Sequence, residues 1–463
     1  MIKFVLSIFL SVCAFLSFSS FAEKTTPNIV FIFADDWGWG DLGCHGHPYL
    51  KTPNIDRLAK EGTDFHRFTV ASGVCSPSRT AVMTGHFPAR YNIDGHFAWV
   101  PSNQRRNMPD WLDTNAPLLP KFLKKAGYST AHYGKWHLAN DMIPDAPFLT
   151  EYGYDDYGSY NCSGPQMFVH DDVKSAIPFM KKSHANGKPF FINLWIHEPH
   201  TPFHVDPKLQ KLFPDLPEAD NIYAATLYHA DLRIGQLLDA LDEMKISDNT
   251  LVIFSSDNGP ARGSPNSPIA LSYDSATGPG YGIGAAKGIT GGRRAFKGAL
   301  MEGGIGVPFI ARWPGKIAAG KVDKTSVMSA VDLLPTFCEL GNVKLPRSYK
   351  PDGMSQVPAL MGKGNPLRKK PIFWKMSAPW PANESKPDHW VAYAVVHEQW
   401  KLVLNKDQSH AELYDLVRDP LESTNRADKN SETVSRLKIL LQKWLTSLPE
   451  KPTGNVFSSL RKN

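Results

Sequence analysis

Cysteine is scarce in this chain. There are five in 463 residues, and one of them, Cys13, lies inside an apolar N-terminal stretch. The other four, Cys44, Cys75, Cys162 and Cys338, can close at most two bridges, which excludes a fold held together by a disulfide framework. An excess of charge of one sign is also nearly absent: 51 Lys and Arg stand against 45 Asp and Glu, a net of +6. No basic run is long enough to favour nucleic acid, so no nucleic-acid partner is expected. The mild positive balance suits an anionic substrate and says nothing about fold. Beyond residue 22 no run is apolar enough to cross a bilayer, so no stable membrane insertion is expected. No internal repeat is found. Apolar content of 42% and charged content of 21% are ordinary for a globular protein able to bury a sizeable core.

What is present begins at the N-terminus. Met1 to Ala22 carries Lys3, an apolar stretch from Phe4 to Phe18, and then Ser20-Phe21-Ala22. A charged start, an apolar middle and a small-x-small ending read as a secretory signal peptide. The competing reading, an uncleaved anchor, wants about 20 apolar residues. Leu10-Ser11-Val12-Cys13 only faintly resembles a lipoprotein cleavage box, because the apolar run continues past it. Export, to the periplasm or the medium, is the expectation.

Asn28 to Phe33, Phe190 to Ile196 and Leu251 to Phe254 are short, apolar and without alternation, as parallel strands covered on both faces should be. Helical patterns lie between them at Pro53 to Gly62, Leu118 to Gly127 and Ala224 to Met244. This alternation predicts an α/β fold with a large, mostly parallel sheet sandwiched by helices. After about Leu345 the composition changes. Strand-like pieces at Pro371 to Trp374, Trp390 to His397 and Trp400 to Leu404, then a helix near Glu432 to Leu448, predict a smaller antiparallel sheet with a packing helix. The expected organisation is a signal peptide over 1–22, a catalytic α/β domain over 23–345 and a C-terminal α+β subdomain over 346–463. Pro260 to Arg294 is dense in glycine and proline, and a stretch of that length is usually a functional lid or disordered.

Each predicted strand ends in polar residues: Asp35-Asp36, then His197-Glu198-Pro199-His200, then Asp257-Asn258-Gly259. Ligands of open α/β sheets bind outside the carboxyl ends of the strands, so these groups should gather at one edge. Asp35, Asp36, Asp257 and Asn258 offer oxygen ligands, which suit calcium or magnesium rather than zinc. Asn258-Gly259 alone would also fit a hairpin turn.

The segment Gly73-Val74-Cys75-Ser76-Pro77-Ser78-Arg79, continuing to Thr84-Gly85, resembles the Cys-x-Pro-x-Arg signature of the formylglycine-dependent sulfatases, in the alkaline-phosphatase-like superfamily. Gly134-Lys135-Trp136-His137 resembles their second signature, with two departures: Tyr133 is bulky where a small or β-branched residue is usual, and Ala139-Asn140 replaces glycine. Pro199-His200-Thr201-Pro202 and Lys297-Gly298-Ala299-Leu300-Met301-Glu302-Gly303-Gly304 are similar to further family elements. Thr52 to Ala59 and Glu412 to Leu416 extend the likeness over nearly the whole mature chain. The resemblance implies a sulfuric ester hydrolase with an alkaline-phosphatase-like fold. It implies that a maturation enzyme converts Cys75 to formylglycine, whose hydrate attacks sulfur with one hydroxyl and expels sulfate with the other. A plain alcohol at Ser76 or Ser78, the rival nucleophile, lacks that exit. By position, Asp35, Asp36, Asp257, Asn258 and the modified Cys75 would hold one calcium ion. Arg79 and Lys135 would orient and neutralise the hydrated aldehyde, and His137 would take a proton to collapse the sulfated intermediate. Lys297, Lys135 and His200 would bind sulfate, with His200, rather than Lys297 or the neighbouring His197, protonating the leaving alcohol. Asp257 is the candidate base toward the nucleophile, and Ser159 or Ser163 a further sulfate contact.

The substrate implied is a sulfated oligo- or polysaccharide, with galactose or N-acetylgalactosamine sulfate of a carrageenan-like or glycosaminoglycan chain foremost. Trp99 or Trp380 would be candidate sugar platforms. The alternatives are an arylsulfatase or phosphonate monoester hydrolase, and an inactive sulfated-glycan-binding protein.

Overall fold

The strand Asn28–Ala34 (β1) is buried at all seven positions, because both of its faces are covered. Ile29, Phe31 and Phe33 point into one apolar cluster, and Val30, Ile32 and Ala34 into another. Each of the valine, isoleucine and phenylalanine side chains, fully buried, contributes roughly 1.5–3 kcal/mol, so this strand is the spine of the molecule. The computed structural model describes residues 26–140, 143–160, 171–264, 266–269, 271–275, 278–364, 368–377 and 386–461. The leader read at 1–22, Cys13, Cys162, Ser163 and Trp380 lie outside the described residues.

Seven further strands complete the main sheet: Thr63–Phe65 (β2), Ser129–Lys135 (β3), Asp156–Tyr160 (β4), Phe190–Trp195 (β5), Thr250–Ser256 (β6), Phe309–Arg312 (β7) and Lys321–Asp323 (β8). Their order is β8-β2-β7-β6-β1-β5-β3-β4. All pairings are parallel except the two made by β7, so the sheet is mixed and mostly parallel, as expected. The helices Pro53–Glu61 (α1), Asp172–Ala185 (α4) and Glu218–Glu243 (α5) cover one face. Cys75–Thr84 (α2), Leu119–Lys125 (α3) and Leu333–Leu340 (α6) cover the other. None of the helices among the described residues is long and apolar enough to cross a membrane.

The second sheet is an antiparallel meander of Ile372–Lys375 (β9), Tyr393–His397 (β10), Trp400–Leu404 (β11) and Ala411–Asp415 (β12), backed by the helix Ser431–Thr446 (α7). It has one strand more than the sequence pattern suggested. β12 was legible only as a short motif, because its alternation is broken by Tyr414 and Asp415, both buried. The Pro260 to Arg294 segment also carries more structure than its composition implies: Leu271–Ser275 pairs antiparallel with Gly278–Tyr281.

The second sheet is tied by buried charge to the segment that precedes β7. Lys401 of β11 is fully buried and bonds Glu302 at 2.9 Å and Glu422 at 2.7 Å. Glu422 also accepts the Glu302 backbone N–H at 2.6 Å. Removing one partner of such a cluster strands the others in a medium that does not solvate them. Lys401→Met is therefore expected to lower stability by about 3–5 kcal/mol, measured by urea unfolding. Adding Glu422→Gln should restore part of the loss, and a single Lys401→Met with unchanged midpoint would refute this reading.

Candidate active site

Because β6, β1, β5 and β3 are adjacent and parallel, their carboxyl ends open onto one edge. β1 delivers Asp35 and Asp36, β6 delivers Asp257 and Asn258, β3 ends on Lys135 and leads to His137, and β5 leads to His197 and His200. β3 was not recognisable as a strand from its sequence. It reads Ser-Thr-Ala-His-Tyr-Gly-Lys, and its polar groups are satisfied inside the protein, as in the 2.7 Å contact of His132 Nδ1 with Ser159 Oγ. Gly134 takes φ of 95°, and a Cβ there would lie 2.1 Å from the Trp195 carbonyl oxygen. Glycine is what lets β3 press against β5 one residue before Lys135.

Cys75 is the first residue of α2, and every residue of that helix is buried. Its Sγ lies 3.6 Å from Asp35 Oδ1 and 3.5 Å from Lys135 Nζ. Lys135 also donates to Asp35. One turn along the helix, Arg79 donates through Nε (3.0 Å) and Nη2 (2.7 Å) to Asp257 Oδ2, and through Nη1 to the Lys135 carbonyl oxygen at 3.0 Å. Lys297 reaches in from the loop before Glu302 and meets Asp36 at 2.7 Å. Three buried carboxylates thus face three buried or nearly buried cations. Nine of the ten expected residues converge through direct contacts: His200 Nε2 lies 4.0 Å from Asp36 Oδ2, and Asn258 Nδ2 donates to Asp36 Oδ1 at 2.7 Å. His137 is the tenth. Its Nε2 is 3.0 Å from the Phe97 carbonyl oxygen, which only accepts, so Nε2 carries the proton and Nδ1 is the basic nitrogen.

The protonation states follow from burial and neighbours. Burial opposes ionisation of Asp35, but His200, Lys135, Arg79 and Lys297 outweigh it and hold its carboxyl well below the usual range. Asp257 is pushed up to about 6 by burial and by Asp35, against Arg79 and Lys135. Burial, with Asp35 and Asp257 behind it, pushes the Cys75 thiol well above its ordinary range. An unmodified thiol there is a poor nucleophile at neutral pH. Burial also lowers His137 and His200 well below the ordinary imidazole range.

Ligand atoms of Asp35, Asp36, Cys75 and His200 lie within 4.8 Å of one another; the carboxylates suit a hard cation, whereas the thiol and the imidazole do not. The buried Asn258 Oδ1 accepts no hydrogen bond among the described residues, and an amide oxygen beside carboxylates is an ordinary calcium ligand.

Other candidates take different places. Ser76 Oγ accepts the Phe97 N–H at 2.9 Å and Ser78 Oγ donates to the Ser72 carbonyl at 3.1 Å, so both hydroxyls hold backbone. Ser159 is engaged with His132 through both its side-chain contacts. His197 Nε2 bonds the Pro202 carbonyl at 3.1 Å. The loop that carries both histidines is anchored from α5, where Arg233 pairs with Glu198 at 2.6 Å and with Asp172. Trp99 is half exposed and does not line the cavity described next.

A cavity of about 1240 Å³ opens over Asp36, His200 and Lys297. Arg262, Lys287 and Lys386 line it too. Sequence reasoning did not single these out, because they are scattered over 125 positions with no shared motif (386 minus 262, plus one). Lys386 and its neighbours Asp388 and His389 come from the C-terminal half, so both halves of the chain shape the cleft.

Comparison with known proteins agrees with this geometry. The family model described as Sulfatase matches residues 27–343, and one described as N-sulphoglucosamine sulphohydrolase, C-terminal, matches residues 293–451. N-acetylgalactosamine-6-sulfatase of Canis lupus familiaris is 32% identical in an alignment of 394 positions that covers 75% of this chain and 68% of that protein. Arylsulfatase G of Rattus norvegicus is 30% identical in an alignment of 396 positions that covers 75% of this chain and 71% of that protein. Among solved structures, Ps i-CgsB in complex with k-i-k-neocarrahexaose superposes with a TM-score of 0.75 at 27% identity, covering 94% of this chain and 96% of that one. The extent of the family match, with relatives similar along most of their length, places this chain in the sulfatase family as a sulfuric ester hydrolase.

Proposed function

We propose that this sulfatase releases sulfate from a galactose or N-acetylgalactosamine residue of a carrageenan-like or glycosaminoglycan chain, with Cys75 converted to formylglycine and one calcium ion. The observation that carries the reading is the setting of Cys75. A buried thiol with its pKa pushed up is a poor nucleophile, yet it sits between Lys135 and Asp35 at the head of a helix, where a nucleophile would belong. Formylglycine would replace it with a hydrate that has both an attacking hydroxyl and a second hydroxyl to drive out sulfate.

The chain's own residues would do the rest. Arg79, fixed by Asp257, and Lys135 hold positive charge against residue 75. His137, with its Nε2 proton committed to Phe97, offers Nδ1 as the base. Lys297 and His200 line the cavity and would hold the sulfate oxygens. His200 would be the acid for the leaving alcohol once a bound sulfate ester favours its protonated form against burial, because Lys297 is bound up with Asp36. Calcium held by Asp35, Asp36, Asp257, Asn258 and residue 75 would supply charge that offsets the build-up on sulfate. The basic lining of Arg262, Lys287 and Lys386 suits a substrate bearing more than one anionic group, and the cavity is far larger than a sulfate ion. The names of the relatives, an N-acetylgalactosamine sulfatase and a carrageenan oligosaccharide complex, support the choice of sugar. The enzyme would act after export and after meeting a formylglycine-generating enzyme.

Three outcomes test this. Protein co-expressed with that maturation enzyme should show, in the peptide containing Cys75, exchange of sulfur and two hydrogens for oxygen. It should release sulfate from carrageenan or chondroitin oligosaccharides, and Cys75→Ala should not; full activity with an unmodified Cys75 would sink the mechanism. Calcium at a hundredfold over its dissociation constant should stabilise the protein by about 2.7 kcal/mol, read as a rise in Tm over protein in chelator and lost in Asp36→Ala. His200→Ala should lose about 10²–10⁴-fold in kcat on sugar sulfates. It should lose far less on aryl sulfates with good leaving groups, and an equal loss on both would remove His200 from the acid role.

A further inference from the structure

A second convergence of metal-ligating side chains lies away from the cavity, on the loop after β1 and at β2. His45 ends a short 3-10 turn, Gly43–His45; Asp64 is on β2; His66 follows it. His45 Nε2 is 2.8 Å, and His66 Nε2 3.0 Å, from the same oxygen, Asp64 Oδ2. The three ligand atoms lie within 4.8 Å of one another.

The proton positions make this arrangement informative. His45 Nδ1 lies 2.5 Å from the Trp39 carbonyl oxygen. A carbonyl only accepts, so a neutral His45 carries its proton on Nδ1, and its Nε2 lone pair then faces a carboxylate that also only accepts. Two acceptors 2.8 Å apart repel each other. Something positive must lie between them, either a second proton or a metal ion. An independent observation favours the ion. Asp64 is 5% exposed, and its other oxygen, Oδ1, is buried without a hydrogen-bond partner among the described residues. The Trp39 indole stacks on His45 at 4.0 Å and meets His66 edge-on at 5.1 Å, so both imidazoles are held in place by packing rather than by the carboxylate alone.

We propose that His45, Asp64 and His66 form a binding site for a divalent transition metal, zinc foremost, distinct from the Asp35 and Asp36 cluster. Two imidazoles and a carboxylate are ordinary zinc ligands, and zinc with three protein ligands takes water in its fourth position. The His66 side chain is 21% exposed, which leaves that position a solvent side. The Trp39 carbonyl on Nδ1 is the kind of outer partner that fixes the tautomer and orientation of a metal-bound histidine. Imidazole selects against calcium, so the two sites would not compete for one ion. Binding would displace the proton from His45 Nε2 and join the loop that follows Asp35 and Asp36 to β2.

The test uses the full chain, saturated with calcium, equilibrated with zinc and then desalted. Wild type and Cys75→Ala are expected to keep one zinc per chain by elemental analysis, and zinc should raise the Tm of both. His66→Gln should weaken zinc binding about tenfold or more and lose the Tm response, while its calcium-supported sulfate release stays at the wild-type level and shows that it is folded. His45→Gln, which keeps a donor for Asp64, is the second variant and should behave alike. If wild type keeps no zinc, or both variants keep as much as wild type, the proposal is overturned and the cluster is an imidazolium–carboxylate pair.

Discussion

Asp35, Asp36 and Asp257 are all but inaccessible to solvent, and three carboxylates buried together are tolerated only if opposite charge is buried with them. Arg79, Lys135 and Lys297 supply that charge, each from a different part of the chain: a helix, a strand end and a loop. The constraint runs through the whole architecture. The cations must arrive from directions that leave Cys75 beside Asp35 and Lys135, and the backbone must bend to allow it. Asp36 and His137 take φ of 68° and 49°, conformations that cost energy in residues other than glycine and that persist where the surroundings over-determine them.

The same logic of buried opposite charge extends outward in layers. Arg233 reaches from the long helix α5 to Glu198 and so holds the loop bearing His197 and His200. Lys401 reaches from the C-terminal sheet to Glu302 and Glu422, and so holds the segment that carries Lys297. Arg294, three residues before Lys297, pairs with Asp388 at 2.6 Å on the cavity wall. The C-terminal sheet is thus more than a packing partner. It fixes one of the cations of the site and lends residues to the cleft over it.

The two halves of the site differ in what they imply for chemistry and for choice of substrate. The buried carboxylates of the candidate site sit at the strand ends, where position follows from the sheet. The cleft lining, with Arg262, Lys287 and Lys386, comes from irregular segments that can vary without disturbing the sheet. This separation is the usual way in which one scaffold serves several substrates.

Much of this was readable in the sequence for a simple reason. A strand covered on both faces must be apolar throughout, so β1, β5 and β6 stood out, and a parallel sheet must then bring their polar ends to one edge. That placed Asp35, Asp36, Asp257, Asn258 and His200 together, while Cys75, Arg79, Lys135 and Lys297 were placed only by the resemblance of their short motifs to the sulfatase signatures. The tertiary structure alone decided the rest. It showed that Ser129–Lys135 is a strand, because its burial rests on polar partners such as Ser159 rather than on apolar pattern. It took the hydroxyls of Ser76 and Ser78 away from chemistry by binding them to backbone. It joined Glu302 to Lys401 across 99 positions and His45 to Asp64 and His66 across a loop. Pairings of this kind depend on which surfaces meet when the sheet, its helices and the C-terminal meander pack, and local sequence has no periodicity that records them.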